Sequence, residues 1–220
     1  TIGGSAENSA SIGFEPQTSP SGNPASGDVI YIWGPQLEES PHVTSYISSN
    51  SSHRALRGAD KTFIDGQEFT DFYNQIEGTI FLSASYIEDS RSSGIVTIDD
   101  TSNSAEYTEV GYRAGGASSG SAAAYIRTTS GGDQYYKGWS GSATQGNEFK
   151  VVLGYKDNDY ASSANGETVH TDSSGTTSKV YDRLQLSSVH NVNHTGSSHY
   201  RRLIYYPKRL PNSQLVTLTS

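Results

Sequence analysis

An aromatic and polar segment over residues 125–139 is the part of the sequence best suited to bind a small molecule. Sugars present flat C–H faces and a rim of hydroxyl groups, so a sugar site needs aromatic platforms beside Asp, Gln or Arg side chains. The segment supplies both, in surroundings rich in glycine and serine. The alternative is that its aromatic side chains pack in the core or against another subunit, and the exposure of Trp139 distinguishes the two. The predicted glycan-binding residues are Tyr125, Arg127, Asp133, Gln134, Tyr136 and Trp139.

Two acidic clusters are candidates for a calcium site. Residues 99–100 read Asp-Asp and residues 157–159 read Asp-Asn-Asp. Carboxylate oxygens suit Ca²⁺, which takes 6–8 oxygen ligands, and the candidate ligands are Asp157 and Asp159. The alternative is that these are ordinary turn residues, because the spacing of an EF-hand loop is not met.

A cluster of histidines is a weaker candidate for a metal site. His190, His194 and His199 fall within ten residues, and imidazole nitrogens bind Zn²⁺ or Ni²⁺. The interpretation favoured here is a polar loop. His42, His53 and His170 are isolated in the sequence, and we expect them to be exposed.

The sequence does not favour catalysis. Glycosidases need two carboxylates on one face, whereas the spacing of Glu106 and Glu109 places them on opposite faces of a strand. No Gly-x-Ser-x-Gly motif opens a strand-to-helix turn. We therefore predict that the chain is not an enzyme, with a polysaccharide depolymerase as the less favoured alternative.

The composition excludes several other classes of protein. The 220 residues contain no Cys and no Met, carry a net charge of -8, and are 33% hydrophobic. Without cysteine there is no disulfide or thiolate site, and an acidic chain does not suit nucleic acid. No apolar stretch is long enough to span a bilayer. Because the sequence has no initiator methionine, we expect it to be the carboxy-terminal piece of a longer or processed polypeptide.

Short runs of β-branched and aromatic residues between Gly, Asn, Ser and Asp clusters predict an all-β protein. Residues 78–86 carry apolar groups on both faces, which indicates a strand covered on both sides. The Asn165-Gly166 pair predicts a type I′ hairpin turn. A single helical turn is expected near residues 211–218. The predicted strands cover residues 11–15, 29–36, 62–64, 78–86, 94–99, 106–113, 122–128, 133–139, 149–155, 159–164, 167–172, 183–186 and 199–206.

The strands divide the chain into a short segment and a main body. Residues 1–47 hold about two strands, too few to bury a core alone, so we expect them to close or dock on a preceding or neighbouring jelly-roll domain. The Ser- and Asn-rich residues 48–53 are the predicted linker. Residues 54–220 hold the remaining strands and are predicted to form a two-sheet sandwich.

Several of these segments resemble phage tail proteins. Residues 27–38, Gly-Asp-Val-Ile-Tyr-Ile-Trp-Gly-Pro-Gln-Leu-Glu, resemble the closing strand of their carbohydrate-binding jelly rolls. Glu77-Gly78-Thr79 is similar to the opening strand of the concanavalin A-like (laminin-G-like) domain that follows in such proteins. Residues 201–210, Arg-Arg-Leu-Ile-Tyr-Tyr-Pro-Lys-Arg-Leu, resemble that domain's last element. The resemblance covers residues 27–220 and implies a concanavalin A-like jelly-roll β-sandwich for the main body.

The same resemblance implies a location and a set of partners. It suggests a non-catalytic module of a tail fibre, tailspike or head fibre on the virion surface, which binds bacterial surface polysaccharide or lipopolysaccharide. Other virion proteins are the further expected partners, and homo-trimerisation is expected as in other fibre-like proteins. The alternative is a purely structural decoration or assembly module whose aromatic side chains pack between subunits.

Overall fold

The computed structural model of the protein describes residues 62–87, 95–113, 120–189, 192–195 and 198–220, together with Tyr31. All of these except Tyr31 lie in one compact unit, Ala59–Ser220. The predicted linker, and the predicted strands before residue 40 apart from Tyr31, lie outside the described residues. Within the described residues, no helix is long and apolar enough to cross a membrane.

The described part of Ala59–Ser220 is a β-sandwich with two short helices, which confirms the predicted all-β jelly roll. Every strand pairing is antiparallel. The elements in chain order are β1 (Thr62–Asp65), α1 (Gly66–Thr70), β2 (Glu77–Tyr86), β3 (Ile95–Asp100), β4 (Asn103–Arg113), β5 (Ser121–Thr128), β6 (Gly132–Ser140), β7 (Phe149–Lys156), β8 (Tyr160–Ala164), β9 (His170–Asp172), β10 (Arg183–Leu186), β11 (Ser188–Val189), β12 (Val192–Thr195), β13 (Ser198–Tyr206) and α2 (Asn212–Thr219).

The strands form two facing sheets and one small hairpin. The first sheet has six strands in the order β1-β10-β3-β4-β5-β6, and the second has five in the order β13-β2-β7-β8-β9. Strands β11 and β12 form a separate two-stranded hairpin that the sequence analysis did not predict. Strand β6 is therefore an edge of the first sheet, with one side of its backbone free of a strand partner in the described chain.

The core lies between the two sheets and follows from the period-two alternation of the strands. Alternate residues of β4, β5 and β6 point into it, among them Val110, Ile126 and Tyr135. They meet alternate residues of β2 and β7, such as Leu82 and Leu153. The other residues of β4, β5 and β6 therefore face away from the core, and that outer face carries the candidate site.

Strand β2 is covered on both faces, as its sequence predicts. It lies between β13 and β7, and its alternate residue Phe81 points away from the main core. Phe81 packs there with Val152, Ala161 and Leu215, the last of which is a fully buried residue of α2. The predicted helical turn near the carboxy terminus is thus confirmed as a helix that covers the second sheet.

An aromatic cluster closes one end of the sandwich. The Phe69 ring of α1 stacks on Tyr73 at a centroid distance of 4.7 Å, and Tyr73 stacks on Tyr205 at 5.4 Å. Tyr155 donates a hydrogen bond of 2.7 Å to the carbonyl oxygen of Asn74 and so fixes the segment that follows α1. Glycine is needed at Gly78, where an added Cβ would lie 2.5 Å from the Tyr155 hydroxyl.

The turn predicted from Asn165-Gly166 is confirmed. Both residues have positive φ, 47° and 76°, as a type I′ turn requires. Glu167 N donates to Ala164 O at 2.8 Å across the turn. The Asn165 side chain also accepts a hydrogen bond from Lys150 N at 2.8 Å, so the turn is tied to β7.

Strand β13 is an edge of the second sheet. Its Tyr205 packs against the core, whereas its Leu203 is 36% exposed. It ends at Tyr206, directly before Pro207, which has no N–H to continue the ladder.

Leucine truncation at two positions of the second sheet should distinguish a core strand from an edge strand. We expect Leu153→Ala to lower the free energy of unfolding by about 2–5 kcal/mol, because Leu153 is fully buried between the sheets. The matched change Leu203→Ala, on the exposed edge, should lower it by less than about 1 kcal/mol. Urea unfolding followed by circular dichroism measures both. Similar losses for the two variants would contradict the placement of β13 at the edge.

Candidate functional site

The outer face of β4, β5 and β6 brings together four of the six residues predicted to bind glycan. Glu109, Tyr125 and Tyr136 are aligned across the three strands. Arg127 is aligned with Asp133 on the same face. We call the group Arg113, Tyr125, Arg127, Asp133 and Tyr136 the β5–β6 surface.

Aromatic and cationic groups are stacked on this surface. Tyr125 and Tyr136 meet edge to face at a centroid distance of 5.8 Å. The Arg113 guanidinium lies 4.7 Å from the Tyr125 ring centroid and 5.6 Å from that of Tyr136, within the range of a cation–π interaction. Tyr125 is 5% exposed and forms the base, whereas Tyr136 is 42% exposed and presents its ring to solvent.

A short polar network orients the rim of the β5–β6 surface. Tyr125 donates its hydroxyl proton to Asp133 Oδ1. Arg127 Nη1 lies 3.4 Å from the same oxygen, and both side chains of this ion pair remain partly exposed. Burial, together with the hydrogen bond to Asp133, raises the pKa of Tyr125, so its hydroxyl stays protonated and acts as the donor. Arg127 also interacts with the Tyr125 hydroxyl, and the second oxygen of Asp133 accepts no hydrogen bond within the described residues.

A β-bulge removes Gln134 from this surface. Ile126 is aligned with Tyr135 and Arg127 with Asp133, so Gln134 is the extra residue of β6. Its side chain turns to the loop after β9, where its Oε1 accepts a hydrogen bond of 2.9 Å from Thr176 N. Gln134 thus holds a loop rather than standing beside Tyr136.

Trp139 is not an exposed platform. It belongs to the core between the sheets and is 4% exposed. The Lys137 ammonium lies 5.8 Å from its ring centroid. An indole ring covered in this way does not offer its face to a sugar, so the predicted stacking role of Trp139 is corrected to that of a core residue.

A buried ion pair lies on the same outer face, towards the other edge of the sheet. Arg183 binds Asp99 in a bidentate manner, with Nε–Oδ1 at 3.0 Å and Nη2–Oδ2 at 2.7 Å. Gln185 Nε2 donates to Asp99 Oδ2 at 2.8 Å. The sequence analysis missed Arg183 and Arg113 as members of this face. The alternation of side chains along β4 and β10 is the sequence pattern that could have placed both arginines on this face.

The carboxylates proposed as calcium ligands are engaged by cationic side chains. Asp157 Oδ1 accepts hydrogen bonds from Thr177 and lies 3.1 Å from Lys179 Nζ. Asp159 Oδ1 lies 3.0 Å from Arg209 Nη2. Across the described ranges, no group of three or more His, Asp or Glu side chains is placed to hold a metal ion. The alternative of ordinary turn residues describes Asp157 and Asp159 better than a calcium site does.

The histidines do not form a described cluster. His199 is exposed on β13, His194 is described only through its backbone in β12, and His190 lies outside the described residues. His170 differs from its prediction, because it is half-buried and its Nδ1 lies 3.1 Å from the Tyr135 hydroxyl.

The fold resembles that of known carbohydrate-binding domains. No family model matches the chain, and no curated protein matches its sequence. Among solved structures, the CBM40 domain of Ruminococcus gnavus IT-sialidase bound to α2,3-sialyllactose superimposes with a TM-score of 0.59 and 16% identity. That match covers 75% of this chain and 95% of the domain.

Two larger proteins contain a similar domain. The match to the NanB sialidase of Streptococcus pneumoniae has a TM-score of 0.53 and 14% identity, and covers 73% of this chain and 26% of NanB. The match to the binding domain of botulinum neurotoxin DC has a TM-score of 0.51 and 10% identity, and covers 72% of this chain and 39% of that one. At these identities the likeness establishes a lectin-like β-sandwich fold.

The Asp157 network should give a pH-dependent contribution to stability. Desolvation raises the pKa of Asp157, but hydrogen bonds from Thr177 and Lys179 outweigh it, and the pKa lies below its ordinary value. A carboxyl with a lowered pKa stabilises the fold above its unfolded-state pKa, and this contribution is lost as the pH falls through the folded-state pKa. Asp157→Asn should therefore destabilise the protein at neutral pH and have no effect where the carboxyl is protonated in both states.

Because the Asp157 side chain is partly exposed, we expect a loss at neutral pH of less than about 1 kcal/mol. Urea titrations at neutral and at acidic pH measure it. Glu167→Gln is the matched control, since the Glu167 carboxylate has no partner within the described ranges. An equal loss for Asp157→Asn at both pH values would contradict the ion-pair network.

Proposed function

We propose that the protein is a non-catalytic glycan-binding module and that the β5–β6 surface is its binding site. The observation that carries the proposal is the half-exposed Tyr136 ring, held beside Arg127 and Asp133 and backed by Arg113 and Tyr125. A sugar ring placed on Tyr136 meets an apolar platform for its C–H face. Its hydroxyl groups then lie within reach of a carboxylate acceptor and a guanidinium donor.

The site is organised before a ligand arrives. Tyr125 is buried, and its hydrogen bond to Asp133 and its contact with Arg113 restrain the side chains around it. Immobilising a flexible side chain on binding costs about 0.5–1.5 kcal/mol, so pre-formed contacts leave more of the interaction energy for affinity. The single half-exposed ring of Tyr136 suits a weak interaction with one sugar unit at a time.

An acidic sugar is the ligand class we favour for this surface. Arg113 lies against Tyr136 and Arg127 lies further along the same face, while Asp133 is paired with Arg127 and the second carboxylate, Glu109, is buried beside Tyr125. Guanidinium groups bind carboxylates through paired hydrogen bonds. The R. gnavus CBM40 domain, which shares this fold, is bound to sialyllactose, and that likeness supports the proposal.

The absence of a catalytic role is part of the proposal. Retaining and inverting glycosidases need two carboxylates that flank one bond on a common face. Glu106 and Glu109 alternate along β4, and the Glu106 carboxylate accepts a hydrogen bond from Thr129 N at 2.8 Å. Asp133, the exposed carboxylate of the β5–β6 surface, is paired with Arg127.

A place on a phage virion surface, with bacterial polysaccharide or lipopolysaccharide as the ligand, is a further proposal that rests on the sequence resemblance. Weak single sites on a homo-trimer would gain about 10²–10⁴ in avidity on a repetitive bacterial surface. Analytical ultracentrifugation of the full chain tests the trimer. Binding to intact bacteria, compared with cells stripped of capsule and lipopolysaccharide, tests the ligand source.

Loss of the Tyr136 ring should weaken glycan binding. We expect Tyr136→Ala and Arg127→Ala each to reduce affinity about tenfold for the acidic glycans bound by the native protein, because each removes one interaction worth about 1.4 kcal/mol. A glycan array that holds sialylated, uronate-containing and neutral bacterial glycans identifies the ligand, and calorimetry on the best ligand gives the affinities.

The matched control is Arg202→Ala, an exposed arginine on β13 of the opposite sheet. Its affinity should equal that of the native protein, and circular dichroism should show all three variants folded. No binding by the folded native protein on the array would overturn the proposed function and favour a purely structural module. Unchanged binding by Tyr136→Ala would show that another surface holds the ligand.

A further inference from the structure

A second surface, separate from the β5–β6 surface, lies where the two sheets meet along one edge of the sandwich. An open cleft of about 500 Å³ separates strand β6 from the segment between β8 and β9. Its lining includes Lys137, Trp139, Glu167, Thr168, Val169 and His170. Its size falls in the range of small-molecule sites, about 300–1,000 Å³.

Strand alternation separates the cleft from the β5–β6 surface. Tyr136 points to the outer face of the first sheet, and its neighbour Lys137 points to the opposite side of β6, where Trp139 also lies. Strand β6 is the edge of its sheet, and the inward-pointing Lys137 lies at the open rim between the sheets, whereas its inward-pointing neighbours Tyr135 and Trp139 are packed in the core. The two surfaces therefore use alternate residues of a single strand.

The cleft carries polar groups of both signs that have no partner in the described chain. The Lys137 ammonium contacts the Trp139 ring, and no hydrogen bond or ion pair to it is seen in the described ranges. The same holds for the Glu167 carboxylate and for the Thr168 hydroxyl. A cation, an acceptor and a hydroxyl thus surround one cleft with their hydrogen-bonding capacity unused.

His170 is held in a fixed orientation at the cleft. The Tyr135 hydroxyl lies 3.1 Å from its Nδ1 and 3.2 Å from its carbonyl oxygen. Tyr135 also shares a hydrogen bond with the buried Ser162 hydroxyl, which anchors it in the core. Burial raises the pKa of Tyr135 to about 12, so the phenol remains neutral. Since Nδ1 is used by Tyr135, Nε2 is the ring nitrogen left for a ligand.

We propose that this cleft is a second glycan subsite, which binds one sugar unit that bears a carboxylate. Lys137 pairs with the carboxylate, Glu167 accepts hydrogen bonds from hydroxyl groups, and His170 Nε2 and Thr168 complete the polar contacts. Val169 contacts the C–H side of the ring, and the buried Trp139 lies behind Lys137. The inference rests on the proposed function for its ligand class, whereas the position of the site follows from the cleft itself.

The competing explanation is that Lys137 protects an edge strand. An inward-pointing charge on an edge strand prevents pairing with another chain. That role accounts for Lys137 alone and requires nothing of Glu167, Thr168 or His170. The two explanations differ in what they predict for a ligand that has a carboxylate and for its neutral counterpart.

The test uses methyl β-D-glucuronide and methyl β-D-glucoside, which differ in the carboxylate at one carbon. The chain has two tryptophans, so Trp33→Phe leaves Trp139 as the reporter. In that background we expect the glucuronide to change Trp139 fluorescence in a saturable manner. The glucoside should bind about tenfold more weakly, because it lacks the charged partner of Lys137.

Two variants separate the roles of the side chains. Lys137→Gln should remove the preference for the glucuronide, so that both ligands bind with the affinity of the glucoside. Glu167→Gln should weaken both ligands by a similar factor and keep the preference. Lys208→Gln, an exposed lysine after β13, is the matched control and should change neither affinity.

Three outcomes would overturn the inference. They are a Trp139 fluorescence that does not respond to saturating glucuronide, a preference that survives Lys137→Gln, and a Lys137→Gln variant whose only change is self-association by ultracentrifugation. None of them bears on the β5–β6 surface. If the β5–β6 surface were not the glycan-binding site, Tyr136→Ala would leave binding to the glycan array unchanged.

Discussion

The register of β6 against β5 is the constraint on which both candidate surfaces depend. Side chains alternate along a strand, so a single extra residue moves every later side chain to the other face. The bulge at Gln134 has this effect, because it aligns Asp133 with Arg127 and leaves Tyr136 opposite Tyr125. Without the bulge, a register that keeps Asp133 opposite Arg127 would place Tyr135 opposite Tyr125 and would turn Tyr136 towards the core and Lys137 to the outer face. The outer tyrosine and the inward lysine therefore share one local cause.

Burial distinguishes two ion pairs on the outer face of the first sheet. Asp99 is fully buried, and its two oxygens are satisfied by Arg183 and Gln185. A buried charge is tolerated only when it is paired in this manner. At the other side of the sheet, Asp133 and Arg127 make a single long contact and stay partly exposed. The same face thus passes from a buried ion pair at Asp99 to a partly exposed one at Asp133.

Local patterns in the sequence predicted local structure well, and they failed where a partner is distant along the chain. Strand β2 and the Asn165-Gly166 turn were predictable, because alternation and positive φ are properties of adjacent residues. Helix α1 has five residues, too few to show a helical period, and it was missed. The displacement of Gln134 depends on pairing with β5, and the anchoring of His170 depends on Tyr135 from the facing sheet. Neither partner can be identified from the spacing of residues.

The contrast between Tyr136 and Trp139 shows why aromatic composition alone did not locate the site. The two residues are three positions apart on one strand, yet the first is 42% exposed and the second is 4% exposed. A large ring gives most stabilisation when both faces are packed, and the inner side of β6 offers that environment to Trp139. An edge strand nevertheless leaves the rim of the core open, so the side chain that covers the ring, Lys137, has to be polar. A buried tryptophan beside a lysine at an open rim is therefore compatible with two roles for the lysine, protection of the edge strand and binding of a ligand. A comparison of a charged ligand with its neutral counterpart distinguishes these two roles.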